Sequence, residues 1–236
     1  MADDKVTDVF LTSFPAGPLQ ANCYILSMDG RRCVVVDPGV NAFEPVKELV
    51  AEHGLTVEAV VLTHGHPDHV GGAADVADHY GVPAYLHESD RELFDTSLLM
   101  PWALEIIDRF GVNHVEPADL RDLVGGETLE LAGMTFTTEV APGHRPGCLL
   151  WRTPLVEPVP QSPELTEIVF TGDVVFAGSI GRTDLPGGDD EAMRRSLRDV
   201  VLALPDTAAL LPGHGPETTM AHERATNSYL TESYLR

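Results

Sequence analysis

Short apolar runs, each stopped by a turn containing proline or glycine, recur along the chain and set its elements. Val6–Phe10 and Cys23–Ser27 read as strands around the turn-rich stretch Phe14-Pro15-Ala16-Gly17-Pro18. Arg32–Asp37 is a compact apolar run ended by Pro38-Gly39, which predicts a buried strand and a turn. Ala42–His53 places Phe43, Val46, Leu49 and Val50 at helical spacing, with Gly54 as the stop. Val57–Leu62 is again a strand, Val70–Tyr80 a helix closed by Gly81, and Ala84–His87 a strand. Strands alternating with helices predict layered α/β packing rather than an all-β barrel.

Residues 88–126 break this rhythm. Leu93, Phe94, Leu98, Met100, Trp102 and Phe110 crowd a helical insert interrupted at Pro101. Helices packed against a sheet edge are the simpler expectation; a wall or lid over a substrate is the other. Thr128–Leu131 and Met134–Val140 alternate like a hairpin about Gly133, and Cys148–Thr153 follows as a strand. Pro154, Pro158, Pro160 and Pro163 punctuate an acidic connector over 154–167, expected to be exposed. Ile168–Thr171 is a strand, and Asp190–Leu204 an amphipathic helix with Met193, Leu197, Val200 and Val201 inward. Ala208–Leu211 is the last strand. The expectation is one domain over 1–236.

Composition narrows the partners. The chain has 236 residues, 43% of them hydrophobic and 22% charged, ordinary for a globular domain, but its formal net charge is −22. Lys5 and Lys47 are its only lysines. A surface this acidic repels a phosphate backbone, so nucleic acid is not an expected partner, and a basic membrane-binding patch is equally disfavoured. No apolar run approaches the roughly 20 residues of a membrane span, and the polar N-terminus lacks a signal pattern. Cys23, Cys33 and Cys148 are odd in number and lack zinc-ribbon spacing, so disulfides are not expected and the cytoplasm is the default compartment. Oligomeric state is left open.

The candidate chemistry begins directly after the run Ala59–Leu62, at Thr63-His64-Gly65-His66-Pro67-Asp68-His69. Pro67 forbids a regular helix through its middle, so it reads as a loop in which His64 and His66 share one side and Asp68 and His69 face a second point. Three later strands also end in turns bearing ligand-type residues: Pro142-Gly143-His144, Gly172-Asp173 and Pro212-Gly213-His214. Four such corners predict convergence at one end of a sheet. The count fits two divalent metals: His64, His66 and His144 on one, Asp68, His69 and His214 on the other, and Asp173 bridging them. Two ions about 3.5–4 Å apart would lower the pKa of a shared water toward neutrality. Nitrogen and oxygen ligands without thiolate point first to zinc, with iron or manganese as alternatives. Asp37, at a strand end before Pro-Gly, is expected to accept hydrogen bonds from loop backbone, and Cys148 to be a buried thiol.

In this order, His-x-His-x-Asp-His, Pro-Gly-His, Gly-Asp and a second Pro-Gly-His resemble the metallo-β-lactamase-fold hydrolases, and among them the short glyoxalase II-like thioester hydrolases. The resemblance runs from Asn22 to about Tyr229. It implies an αββα sandwich, two mixed sheets flanked by helices, with a dinuclear site at one edge. It also implies hydrolysis of a 2-hydroxyacyl thioester by a metal-bridging hydroxide, with Asp68 a ligand that also orients the nucleophile. Gly178-Ser179-Ile180-Gly181-Arg182-Thr183-Asp184 resembles the corresponding loop of those proteins and of persulfide dioxygenases. Arg182 is a candidate for binding a substrate carboxylate or for fixing this loop through Asp184. Arg145 is a candidate for an anionic substrate, set against simple solvent exposure.

Longer glyoxalase II enzymes carry a C-terminal helical domain for glutathione. Only about 20 residues follow His214 here, so that recognition does not transfer. A mononuclear iron persulfide dioxygenase, or a metallo-hydrolase of another small ester or lactone, stands as the alternative. A secreted β-lactamase, an RNA-processing nuclease, a flavodiiron-type redox protein and a metal-stabilised binding module fit less well.

Overall fold

The computed structural model describes residues 9–159 and 162–236. Val6, Thr7 and Asp8 of the expected first strand, and Pro160 of the connector, lie outside the described residues. Two six-stranded sheets organise the chain. The first contains β1 (Phe10–Ala16), β2 (Ala21–Ser27), β3 (Arg32–Val36), β4 (Thr56–Val61), β5 (Ala84–His87) and β6 (Leu120–Leu123), in that spatial order. The second contains β7 (Thr128–Leu131), β8 (Met134–Val140), β9 (Leu149–Pro154), β10 (Glu167–Gly172), β13 (Ala208–Pro212) and β14 (Thr218–Thr219), in the order β14-β13-β10-β9-β8-β7. Between β10 and β13 in the chain comes a small ribbon of β11 (Val175–Phe176) and β12 (Ser179–Ile180). Both sheets are mixed: β3 to β6 run parallel beyond an antiparallel β1–β3 meander, and β10 and β13 are the parallel pair of the second sheet.

Most central strands are apolar on both sides because both of their faces are covered. Side chains alternate across a strand, so Tyr24 and Leu26, Val34 and Val36, and Ala59 and Val61 turn toward the other sheet. There they meet Phe136, Leu149, Trp151, Phe170 and Leu211. The alternate residues Ile25, Val35 and Val60 pack under α1 (Phe43–Glu52) and α3 (Ala73–Tyr80), which supply Val46, Val50, Val76 and Ala77. On the far side, Leu150, Val169 and Leu210 are covered by Met193 and Leu197 of α5 (Asp190–Asp199). Met220 of α6 (Met220–Thr226) and Leu235 of α7 (Glu232–Leu235) complete that layer. The layers are therefore helix, sheet, sheet, helix: the αββα sandwich that the resemblance implies.

Several boundaries differ from the sequence reading. β1 starts where the expected strand ended and runs through Pro15, which pairs with Asn22. It is an edge strand, so a residue without an N–H is tolerated there. The chain reverses later, between Ala16 and Ala21. Pro67 does not exclude a helix; it is the first residue of α2 (Pro67–Val70), where a missing N–H costs nothing. The 88–126 segment contains 3₁₀ turns and α4 (Pro101–Phe110), but it ends in β6, which pairs with β5. Only Leu123 of β6 is buried, which leaves little apolar pattern to read. α4 buries only Ala103, whereas the 3₁₀ helix Glu88–Phe94 buries Asp90, Leu93 and Phe94 beside β5 and β6 at the sheet edge. Among the described residues no helix is long and apolar enough to cross a membrane.

Trp151 ties the two sheets together. It is fully buried, its indole N–H donates to the Leu62 carbonyl at 3.0 Å, and Phe136 and Tyr85 stand edge-on to its ring. Trp151→Ala is expected to cost about 3–5 kcal/mol, from lost burial and the cavity left behind. A urea-unfolding series reads this, and a loss below about 1 kcal/mol would contradict the packing described.

Candidate metal centre

β4 and the loop behind it deliver four of the seven candidate ligands. His64 follows the strand, His66 is the extended residue before α2, and the single helical turn of α2 carries Asp68 and His69. The strand–turn corners after β8, β10 and β13 carry His144, Asp173 and His214. The corners do not converge on one sheet, as the spacing predicted: β4 belongs to the first sheet and the other three strands to the second. The centre therefore sits where the two sheets meet. Backbone hydrogen bonds close that seam, from Leu149 N to Thr63 O at 2.8 Å and from Asn22 N to Gly213 O at 2.7 Å. The Asn22 side chain adds bonds to the carbonyls of Pro212 and Gly215, at 2.9 and 2.8 Å.

Both Pro-Gly-His corners require their glycine. Gly143 has φ +148°, and a Cβ there would lie 2.5 Å from the Met193 backbone of α5. At Gly213 a Cβ would collide with Asp173 Oδ1 and lie 2.6 Å from the His69 ring. Each imidazole is thus aimed from a corner pressed against its neighbours.

The side chains meet in three overlapping groups: His64, His66 and His144; His64, His69 and Asp173; and Asp68, His69 and His214. His66 Nδ1 lies 3.1 Å from His64 Nε2 and 2.8 Å from His144 Nε2. Asp68 Oδ2 lies 3.7 Å from His69 Nε2 and 3.3 Å from His214 Nε2. Asp173 faces both clusters: Oδ2 is 3.5 Å from His144, while Oδ1 is 3.5 Å from His69 and 3.0 Å from His214.

Outward hydrogen bonds fix which nitrogen of three histidines points inward. The Asp37 carboxylate accepts from Thr63 Oγ1 at 2.6 Å and from His69 Nδ1 at 2.9 Å. Because the Thr63 hydroxyl proton goes to Asp37, its oxygen accepts from His64 Nδ1 at 3.1 Å. His144 Nδ1 donates to the Arg182 carbonyl at 2.8 Å. Each of these rings therefore turns its Nε2 to the cluster, the nitrogen it would offer to a metal ion. His69 Nε2 is fully buried without a hydrogen-bond partner, an orphan nitrogen in a site of nitrogen and oxygen donors. These residues fit divalent metal ions.

The electrostatics point the same way. Burial, with His69 and His144 nearby, holds His64 well below its ordinary pKa, and burial with His144 lowers His66 to about 3. Burial opposes charge on His69 and His214 too, but there the carboxylates win. Asp173 and Asp68 raise His69 to about 9, and hydrogen bonds to the same two groups raise His214 to about 10. Burial alone would raise Asp68 and Asp173; His69 above all holds both below the usual carboxylate range. The carboxylate side attracts positive charge, as a proton or as a metal ion.

The two arginines take different places. Arg182 is exposed and pairs with Asp184 through two bonds of 2.6 and 2.8 Å, at the rim of a pocket of about 350 Å³ over the cluster. Arg145 is buried, against the expectation of solvent exposure. Its guanidinium donates to the Pro186 carbonyl, Asp90 and Glu92 at 2.7, 3.3 and 3.2 Å. These bonds engage three of its five N–H donors and hold the guanidinium within the fold. Cys148 is buried, and burial pushes its thiol well up, as befits packing rather than nucleophilic attack.

Sequence reasoning missed Asp90 altogether. It is completely buried and accepts from the backbone N–H of Gly65 at 2.8 Å and of Gly147 at 3.0 Å, besides Arg145. It thus clasps the two loops that carry His64, His66 and His144. A lone aspartate in the polar stretch His87-Glu88-Ser89-Asp90 gives no sign of this. The one available signal was the glycine at 65 and at 147, where a Cβ would meet Asp90 at 2.6 and 2.7 Å. Asp37 was read as a partner of loop backbone, and it does accept from Thr63 N at 2.8 Å; its bond to His69 was not foreseen.

A metal entering the Asp68/His69/His214 side must displace protons that His69 and His214 hold up to about pH 9 and 10. Metal uptake by the metal-free protein at pH 7 is therefore expected to release protons, with affinity rising as pH rises toward 9. Calorimetric titrations in buffers of different ionisation enthalpy measure the release; a binding heat independent of buffer would contradict it.

With this geometry in hand, known proteins place the chain. Residues 16–156 match the Metallo-beta-lactamase superfamily. The Bacillus subtilis protein named probable metallo-hydrolase YqgX is 35% identical over 218 residues, covering 92% of this chain and 95% of its own length. Hydroxyacylglutathione hydrolase GloC of Haemophilus influenzae is 36% identical over 220 residues, again 92% of this chain and 95% of its own. Among solved structures, the BLEG-1 B3 metallo-β-lactamase superposes with a TM-score of 0.78 at 33% identity, over 94% of this chain and 100% of that one. TTHA1623 in a di-iron-bound form gives 0.72 at 34% identity over the same shares. A sandwich of two mixed sheets with a His/Asp cluster at their seam, matched over most of its length by such relatives, belongs to the metallo-β-lactamase superfamily of hydrolases.

Proposed function

We propose that this chain hydrolyses a small 2-hydroxyacyl thioester at a dinuclear metal centre. The observation that carries the reading is Asp173, whose two oxygens face the two ligand clusters separately. His64, His66 and His144 would hold one ion, and Asp68, His69 and His214 the other. When bound, such ions acidify water and polarise a carbonyl. Similarity to GloC supports the thioester, and the donor set suits zinc; the di-iron form of TTHA1623 supports iron as the alternative.

The chain's own residues divide the remaining work. Asp68 lines the open pocket, as Asp173 does, and in this reading it would orient the attacking water. The Asp37–Thr63–His64 and Asp37–His69 bonds keep both clusters in one orientation as charge develops. In the net reaction the water oxygen bonds to the carbonyl carbon and the carbon–sulfur bond breaks. A carboxylate, a thiol and one proton leave.

Protein loaded with zinc, iron or manganese is expected to turn over at least one lactoyl thioester and to hold two ions per chain. No turnover across a thioester panel with two ions retained would overturn the reading, as would one iron per chain with oxygen consumption. Cleavage of a β-lactam in preference to every thioester would also overturn it. Asp173→Ala is expected to weaken both ions together, by more than the roughly 10–100-fold that loss of an outer partner costs. Metal quantification after dialysis checks this, and loss of one ion alone would refute the bridge.

A further inference from the structure

Beside the metal pocket lies a second cavity of about 220 Å³. The two share His66, Trp102 and Leu185, so they are neighbouring parts of one surface. Of the seven candidate ligands only His66 lines the second cavity, which therefore opens on the three-histidine side. Its walls are mostly apolar, with Leu93, Leu98, Met100, Trp102 and Ala103 from the 88–110 segment facing Leu185 and Pro186, and Glu92 is the one carboxylate among them. Its one guanidinium, Arg145, is already bonded to Asp90, Glu92 and the Pro186 carbonyl. Arg182, at the rim of the metal pocket, is paired with Asp184.

The segment that forms this wall is unusual. α4 buries only Ala103, and Leu98 on the cavity wall is 52% exposed. Apolar side chains held over a pocket without burying one another gain their burial from what enters it. Asp90, in the same segment, binds Gly65 and Gly147, so the wall is anchored to the loops that carry the metal ligands.

We propose that this annex receives an apolar limb of the substrate, so that the chain prefers thioesters with an aliphatic or aromatic group over those of a charged peptide thiol such as glutathione. The inference rests on the thioester reading for the reaction, but the annex itself can be tested without turnover. At roughly 30 Å³ per water-sized group, the cavity has room for about seven such groups. Each methylene buried there is worth about three- to fourfold.

The test uses metal-loaded full-length protein and two thioester series. One lengthens the acyl chain from two to eight carbons on N-acetylcysteamine; the other keeps a lactoyl group and lengthens an alkanethiol. In one series kcat/KM is expected to rise about threefold per carbon and level off when the annex is full, and the series that rises identifies the limb. Leu98→Glu, at the exposed mouth, and Ala103→Trp, which fills the annex, are expected to flatten that slope. Lactoylglutathione is expected to fall below the best apolar substrate. No dependence on length in either series, or a slope unchanged by both variants, overturns the proposal. If no thioester is cleaved, calorimetric binding of straight-chain carboxylates and of alkanethiols decides. Tightening with length that Leu98→Glu removes keeps the annex while the thioester reading falls, and flat binding in both overturns the annex.

Discussion

Two carboxylates, Asp68 and Asp173, are buried against the same two imidazoles, His69 and His214, and the rest of the centre answers to that charge. Buried negative charge is tolerated only beside a compensating positive one. Without a metal, protons held by His69 and His214 supply it; with a metal, the ion does. The same requirement explains why His64, His69 and His144 spend their Nδ1 protons outward, on Thr63, Asp37 and the Arg182 carbonyl. With Nδ1 turned outward, Nε2 is left as the atom that each ring would offer to a metal ion.

Holding seven candidate ligands to this geometry takes more than the loops that bear them. Asp37 links one histidine of each cluster, directly to His69 and through Thr63 to His64. Asn22 reaches across from the first sheet to the corner of His214, and Trp151 reaches from the second sheet to the strand end that precedes His64. Asp90 does the same for the insert. It fastens the apolar wall of the annex to the histidine loops, so the two neighbouring pockets share one anchor.

Much of this was legible beforehand. The ligand residues stand out because histidines and aspartates directly after apolar strands, at turns marked by proline and glycine, are local patterns. Apolar runs, helical spacing and strand alternation are equally local, and they correctly separated strands from helices at β3, α1, β5 and the β7–β8 hairpin. Less legible were features whose cause lies across the fold. Pro15 reads as a turn residue until the strand is known to be an edge. β6 has too few buried residues to announce itself. Arg145 reads as a surface charge until Asp90 is found beneath it, and nothing in the sequence around position 90 marks that residue as buried.

By itself, then, the sequence determined the inventory of the site: which side chains are available as ligands, the corners that aim them, and the apolar strands and helices that demand layered α/β packing. Tertiary structure alone decided that the corners come from two sheets, that Asp173 stands between the clusters, and that Arg145 is bound within the fold while the insert lines a cavity. The reason is physical. Chain periodicity records which face a residue presents, but contacts between residues 25 to 57 positions apart, as from Asp90 to Gly65 and Gly147, depend on how the layers are placed over one another.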